Sequence, residues 1–117
     1  MLDSTVAQLS AALAARKVSS VELTQGYLER IARINPALNA FITLDPDVSV
    51  AHARAADARI AAGAGGPLTG VPIGHKDLFL TEGWRTTCGS RMLADFVAPY
   101  ESPVTAQLKA AGMVTMG

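Results

Sequence analysis

Lys76 is the residue in this chain best placed to do chemistry. It stands in Gly66-Pro67-Leu68-Thr69-Gly70-Val71-Pro72-Ile73-Gly74-His75-Lys76-Asp77. A short apolar run with glycine and proline punctuation, followed by a lysine, predicts a buried strand that delivers a charge to its end. Burying an ammonium is costly, so a buried lysine tends to shed its proton, and a neutral lysine can serve as a base. Most lysines are solvated surface groups, and only the surrounding sequence argues otherwise here.

Other chemistries fit less well. A phosphate-binding loop needs glycine directly before its lysine and serine or threonine directly after. Here the order is Gly74-His75-Lys76-Asp77. Gly63-Ala64-Gly65-Gly66 follows a helical stretch and lacks the spacing of a dinucleotide fingerprint. His52 and His75 are too few and too far apart for a metal site. His52 is expected on the polar or partly packed side of a helix, and His75 to orient or pack beside Lys76. Cys88 reads as a small inert side chain, with no histidine after it. Thr86-Thr87-Cys88-Gly89-Ser90 brings hydroxyls and a glycine near Lys76 in sequence, either as a polar loop or as a pocket wall, with Gly89 and Ser90 as candidates for that wall.

These residues must be carried by a chain of 117 residues, half of them hydrophobic, enough for one small domain with a core. Ten basic residues balance ten acidic ones, with no basic segment to suggest direct nucleic-acid binding. A single cysteine cannot form an internal disulfide, which points to a reducing compartment. The N-terminus lacks a basic leader, and no apolar run approaches the roughly 20 residues of a membrane span, so a cytoplasmic location is expected.

Thr5–Gln8 and Ser19–Glu22 read as capping boxes. The first opens a helix to about Arg16. The second opens one with an apolar stripe of Leu23, Tyr27, Leu28, Ile31 and Ile34, expected to stop before Asn35-Pro36. Ala40–Leu44 reads as a strand stopped by Asp45-Pro46, and Asp47 to about Ala62 as a third helix. Val71–Ile73 and Met113–Met116 read as further strands. Between them Ser102 caps a fourth helix, with Pro103 at its first position and Gly112 at its end. The alternation predicts an α/β protein with some parallel pairing. Parallel sheets are normally covered on both faces, and about three short strands cannot achieve that, so the chain is expected to open something larger.

Gly66-Pro67-Leu68, Gly70-Val71-Pro72-Ile73 and Lys76-Asp77 resemble the opening of the amidase signature family. Ser19-Ser20-Val21-Glu22-Leu23-Thr24, Arg30-Ile31, Asn35-Pro36, Asn39-Ala40-Phe41 and Ala56-Asp57 resemble its N-terminal helical region. Asp77-Leu78-Phe79, Thr86 through Leu93 and Ala111-Gly112-Met113-Val114 extend the likeness over nearly the whole chain. Within the family, the His75-Lys76-Asp77 context and the Thr86–Leu93 segment most resemble the branch that hydrolyses glutamine for tRNA-dependent amidotransferases.

The resemblance implies the N-terminal part of a single α/β amidase domain, a mixed sheet covered by helices and incomplete over 1–117. Its helical region would cover about 1–62, and the start of its sheet about 66–117. It also implies a serine nucleophile, a second serine with a cis peptide bond, and a lysine, whose position Lys76 occupies. Free lysine has a pKa of about 10.4, so burial and hydrogen bonds would have to favour its neutral form. The lysine would take a proton, through the bridging serine, from the nucleophile. Attack on a side-chain amide would release ammonia and leave an acyl-enzyme, with the oxyanion held by backbone N–H groups.

In that branch glutamine is the amide donor. Ammonia passes to a partner within a heterotrimer of three different subunits, which converts Glu-tRNA(Gln) to Gln-tRNA(Gln) with ATP and Mg²⁺; the partner makes most of the tRNA contacts. The glutamine-hydrolysing chain would itself need no cofactor and no metal. Both catalytic serines are expected downstream of Gly117, and none of Ser4, Ser10, Ser19, Ser20, Ser49, Ser90 or Ser102 lies in such a motif. The 117 residues alone are therefore expected to hydrolyse nothing. Two other readings remain at this point: an amidase for another small amide, and a non-catalytic interaction module in which Lys76 is a relic.

Overall fold

The computed structural model describes residues 1–117. Its helices begin where short side chains can satisfy the first free backbone N–H groups. Thr5 and Gln8 form a reciprocal capping box at the start of α1 (Val6–Ala14), and Ser19 and Glu22 form another at the start of α2 (Ser20–Leu38). Asp45 caps α3 (Pro46–Ala61) by accepting the Val48 N–H at 3.2 Å. Ser102 caps α4 (Pro103–Ala110). In both α3 and α4 proline takes the first turn, where its missing N–H costs nothing. Asp45-Pro46 is thus a helix start rather than a strand stop.

Two expectations for the middle of the chain are corrected together. Asn35-Pro36 does not end α2. The helix continues to Leu38 and closes on Asn39 in the left-handed conformation, whose N–H donates to the Asn35 carbonyl at 2.7 Å. Pro36 deprives the ladder of one donor near its end, where few bonds remain to lose. The Asn35 side-chain amide then takes both backbone groups of Phe41, donating to its carbonyl at 3.1 Å and accepting its N–H at 2.9 Å. With those groups occupied by a side chain, Ala40–Leu44 is not a strand but an irregular segment.

The remaining strands form one parallel pair, β1 (Pro72–Ile73) with β2 (Val114–Thr115), in register Pro72 to Val114 and Ile73 to Thr115. Backbone bonds extend the pairing beyond these four residues, from Gly70 N–H to the Gly112 carbonyl (2.8 Å) through to His75 N–H on the Gly117 carbonyl (2.8 Å). Between the strands, Arg85 and Val97 form an antiparallel bridge, and the excursion it closes contains a short 3₁₀ turn, Arg91–Leu93.

α2 is the spine of the apolar core. Ile31 packs with Ala53, Ala56, Val114 and Met116, joining α2 to α3 and the β2 strand. Leu23 packs with Leu9, Leu13 and Val71, joining it to α1 and the approach to β1. Tyr27 lies against both groups. Full burial of each such aliphatic side chain contributes about 1.5–3 kcal/mol.

Polar contacts fix the same joints. Asp57 of α3 accepts the N–H groups of Ser20 (2.7 Å) and Val21 (3.1 Å) at the positive end of α2. The buried Ser20 hydroxyl donates to the Gly70 carbonyl at 2.9 Å. Ser49 donates to the Thr115 carbonyl at 2.8 Å. The strand pair is therefore anchored to α2 at its start and to α3 along β2.

Candidate active site

Lys76 lies at the C-terminal end of the parallel pair, the end at which open α/β sheets carry their ligand sites. β1 stops at Ile73, and within residues 1–117 Lys76 is exposed rather than buried. After His75 makes the last ladder bond, the chain turns. The Lys76 carbonyl accepts the N–H groups of Leu78 (2.7 Å) and Phe79 (3.1 Å), which carries the lysine out of the sheet. Its ammonium takes part in none of the four ion pairs.

A cleft of about 370 Å³ opens beside Lys76. Phe41 and Thr43 form one wall, His75 and Asp77 flank the lysine, and Trp84 and Thr86 close the far side. The segment expected to be a strand thus serves as a rim. The Phe41 ring comes so close to Gly74 that a Cβ there would meet it at 3.1 Å, which is why a glycine precedes His75.

The Thr86–Ser90 segment is brought to the lysine by Asp77. The Asp77 carboxylate accepts the Thr87 N–H at 2.7 Å and the Thr87 hydroxyl, and its backbone carbonyl accepts the Cys88 N–H at 2.8 Å. Ser90 N–H donates to the Thr87 carbonyl at 2.8 Å, closing a turn whose central residues Cys88 and Gly89 both have positive φ, 52° and 66°. Thr86 lines the cleft, whereas Gly89 and Ser90 sit beyond it in that turn. Cys88 is exposed. The Asp77–Thr87 link was not anticipated from the sequence, since ten positions of separation match no helical or strand period.

His75 donates to or accepts from Thr115 across the strand pair, with Nε2 at 3.2 Å from Oγ1. It also separates the lysine cleft from a larger one of about 830 Å³, to which both His75 and His52 contribute. The larger cleft runs between α3 and α4, over β2, and does not include Lys76. The smaller one is therefore the candidate site despite its size. On the rim of the larger cleft, Lys109 lies 3.3 Å from Glu101 and 3.5 Å from Glu82. Burial pushes the Glu101 carboxyl up, but the Thr105 hydroxyl, the Lys109 ammonium and the Glu82 backbone outweigh it and hold the carboxyl below its ordinary value.

Burial, reinforced by Lys109, lowers the His52 pKa against the opposing pull of Glu101. Burial likewise lowers that of His75, again opposed by Glu101. The unfolded chain therefore takes up protons on these imidazoles before the folded one does. Their contribution to stability is full above about pH 6.5 and is lost as pH falls from there toward the lowered folded-state values. The urea midpoint is accordingly expected to fall between about pH 7.5 and about pH 5.5. The double substitution His52→Gln, His75→Gln should flatten that decline, and an unchanged decline in the double variant would place the acid sensitivity elsewhere. No helix is long and apolar enough to cross a membrane.

A sequence profile described as Amidase matches residues 22–117. The chain is 62% identical over 113 residues to the A subunit of the glutamyl-tRNA(Gln) amidotransferase of Thiobacillus denitrificans, covering 97% of this chain and 23% of that protein. It is 62% identical over 117 residues to the protein of the same name from an Azoarcus species, covering 100% of this chain and 24% of that one. Among solved structures, the native peptide amidase of Stenotrophomonas maltophilia matches with a TM-score of 0.91 at 35% identity, over 98% of this chain and 24% of that chain. The chain thus spans about a quarter of the length of these proteins.

Proposed function

Since this chain belongs to the amidase family, we propose that it is the N-terminal portion of the glutamine-hydrolysing subunit of the amidotransferase that converts Glu-tRNA(Gln) to Gln-tRNA(Gln). Lys76 is the lysine of the Ser–Ser–Lys triad, and both serines come from the remainder of a longer chain. That remainder also covers the ammonium, which is exposed in residues 1–117.

Residues 1–117 supply placement. The parallel pair carries the backbone to the site, Phe41 and Trp84 wall it, and Lys76 stands at its mouth. Once covered, the amine takes the nucleophile's proton through the bridging serine and returns it to the departing nitrogen, so that ammonia leaves as the serine is acylated by the glutamine side chain. Water then hydrolyses the acyl-enzyme to glutamate. Thr86 lines the cleft beside Lys76, next to the turn that Asp77 holds. ATP and Mg²⁺ serve the partner's activation of Glu-tRNA(Gln), and that partner and a third protein complete the heterotrimer.

Support comes from the 62% identity along the whole chain to amidotransferase proteins of this kind, with Lys76 on a cleft at the carboxyl end of the strand pair. The test uses a full-length chain carrying these residues, assembled with its partners. Glutamine, ATP and Glu-tRNA(Gln) should yield Gln-tRNA(Gln) together with glutamate. Hydrolysis of small amides without any glutamine-dependent Gln-tRNA(Gln) would assign the chain to another amidase instead. The 117 residues alone should release no ammonia from glutamine.

A further inference from the structure

Building on the assignment of Lys76 as the base, we infer that Asp77 and Thr87 form a clasp that positions it. The backbone around Lys76 is pinned on both sides. Upstream, His75 N–H is bound to the Gly117 carbonyl at 2.8 Å and the His75 ring to Thr115 at 3.2 Å. Downstream, Asp77 holds Thr87 by its N–H (2.7 Å) and its hydroxyl, and its carbonyl holds Cys88 N–H (2.8 Å). The Lys76 side chain itself has no ion-pair partner. Fixing the Cα leaves the side chain's own rotamers, about 2 kcal/mol of freedom, as the only search left to the amine.

The same bonds that hold the Thr86–Ser90 turn bear directly on the backbone next to Lys76. No residue from Gly74 to Gly112 belongs to either core cluster, so the Asp77–Thr87 bonds lie outside both. They also sustain a local cost. Cys88 is held at φ 52°, a conformation disfavoured by about 1–2 kcal/mol for a residue with a Cβ, and its N–H is bound by the Asp77 carbonyl. Thr87 is buried, and its Oγ1 also accepts the Gly89 N–H at 3.1 Å, so the hydroxyl that donates to the aspartate also braces the turn. A charged acceptor makes these bonds stronger than their neutral counterparts.

The experiment measures kcat and KM for glutamine in the assembled full-length enzyme. Thr87→Val keeps the shape and removes the hydroxyl, Thr87→Ser keeps the hydroxyl, and Asp77→Asn keeps an acceptor for the Thr87 N–H but removes the charge. Thr87→Val and Asp77→Asn are expected to lower kcat by about 10- to 100-fold with KM within about twofold, the pattern of a displaced base rather than lost binding. Thr87→Ser should restore kcat to within about threefold of the parent enzyme. Unchanged kcat in Thr87→Val, or no recovery in Thr87→Ser, would overturn the clasp. Should Thr87→Val fail to assemble, the kcat of Asp77→Asn decides in the same way. Lys76→Ala measured alongside separates the two claims: retained turnover there removes the base assignment, whereas its loss with Asp77→Asn and Thr87→Val unaffected removes only the clasp.

Discussion

Lys76→Ala in the full-length, assembled enzyme is expected to lower glutamine hydrolysis by about 10³-fold while leaving the fold in place. The two halves of this expectation have separate causes. Lys76 is exposed in residues 1–117, joins no ion pair and belongs to neither core cluster, so truncating it removes no contact that the fold described here depends on. Within residues 1–117 a surface substitution of this kind changes stability by about 0.5 kcal/mol or less. The chemical loss follows because the other basic groups beside Lys76 are engaged, His75 with Thr115 and Asp77 with Thr87. Supplying free ammonia should bypass the defect and restore Gln-tRNA(Gln) formation. Turnover of glutamine near the parent rate would sink the assignment, and loss of ammonia-dependent activity as well would point to misassembly.

Gly70→Ala is expected to damage the fold severely for a minimal change in volume. Gly70 has φ +84°, a region disfavoured for any residue with a Cβ. A Cβ there would also meet the Cβ and Oγ of Ser20 at 3.1 Å. Ser20 cannot give way freely, because its N–H is held by Asp57 and its hydroxyl by the Gly70 carbonyl. Backbone strain and crowding together should cost about 2–4 kcal/mol, read as a lower urea midpoint. Gly63→Ala is the control: φ is +76° there but nothing lies within 4 Å, so strain acts without crowding and the loss should be clearly smaller. Equal losses in the two variants would show that the contact with Ser20 carries no weight.

Local signals were readable in the sequence wherever the physics is local. Both capping boxes and the Ser102 and Gly112 boundaries of α4 depend on side chains within a few residues of the groups they satisfy, and all are present. The two parallel strands were readable from short apolar runs beside glycine. What could not be read depends on partners distant in sequence or on a choice between competing bonds. Ala40–Leu44 has a strand's composition, but Asn35 reached Phe41 first. Pro36 has the look of a helix stop, yet one missing donor near the end of α2 did not end it. At the site, the lysine's place on the strand pair was legible and its exposure was not, because burial is decided by whatever packs over the end of the sheet. The aspartate after the lysine carried no signal of its own, since only the turn at Cys88 and Gly89 brings Thr87 within its reach.

The pairing of His75 with Gly117 also sets a timetable. As the polypeptide leaves the ribosome, α1, α2 and α3 can dock through Leu23 and Ile31 while the partner of β1 is still unmade. Lys76 emerges with its upstream neighbour unpaired, and roughly forty more residues, or about 2–8 s of synthesis at ordinary rates, separate it from the carbonyl that completes the ladder. Through that interval the polar edge of β1 is open to any strand that comes near.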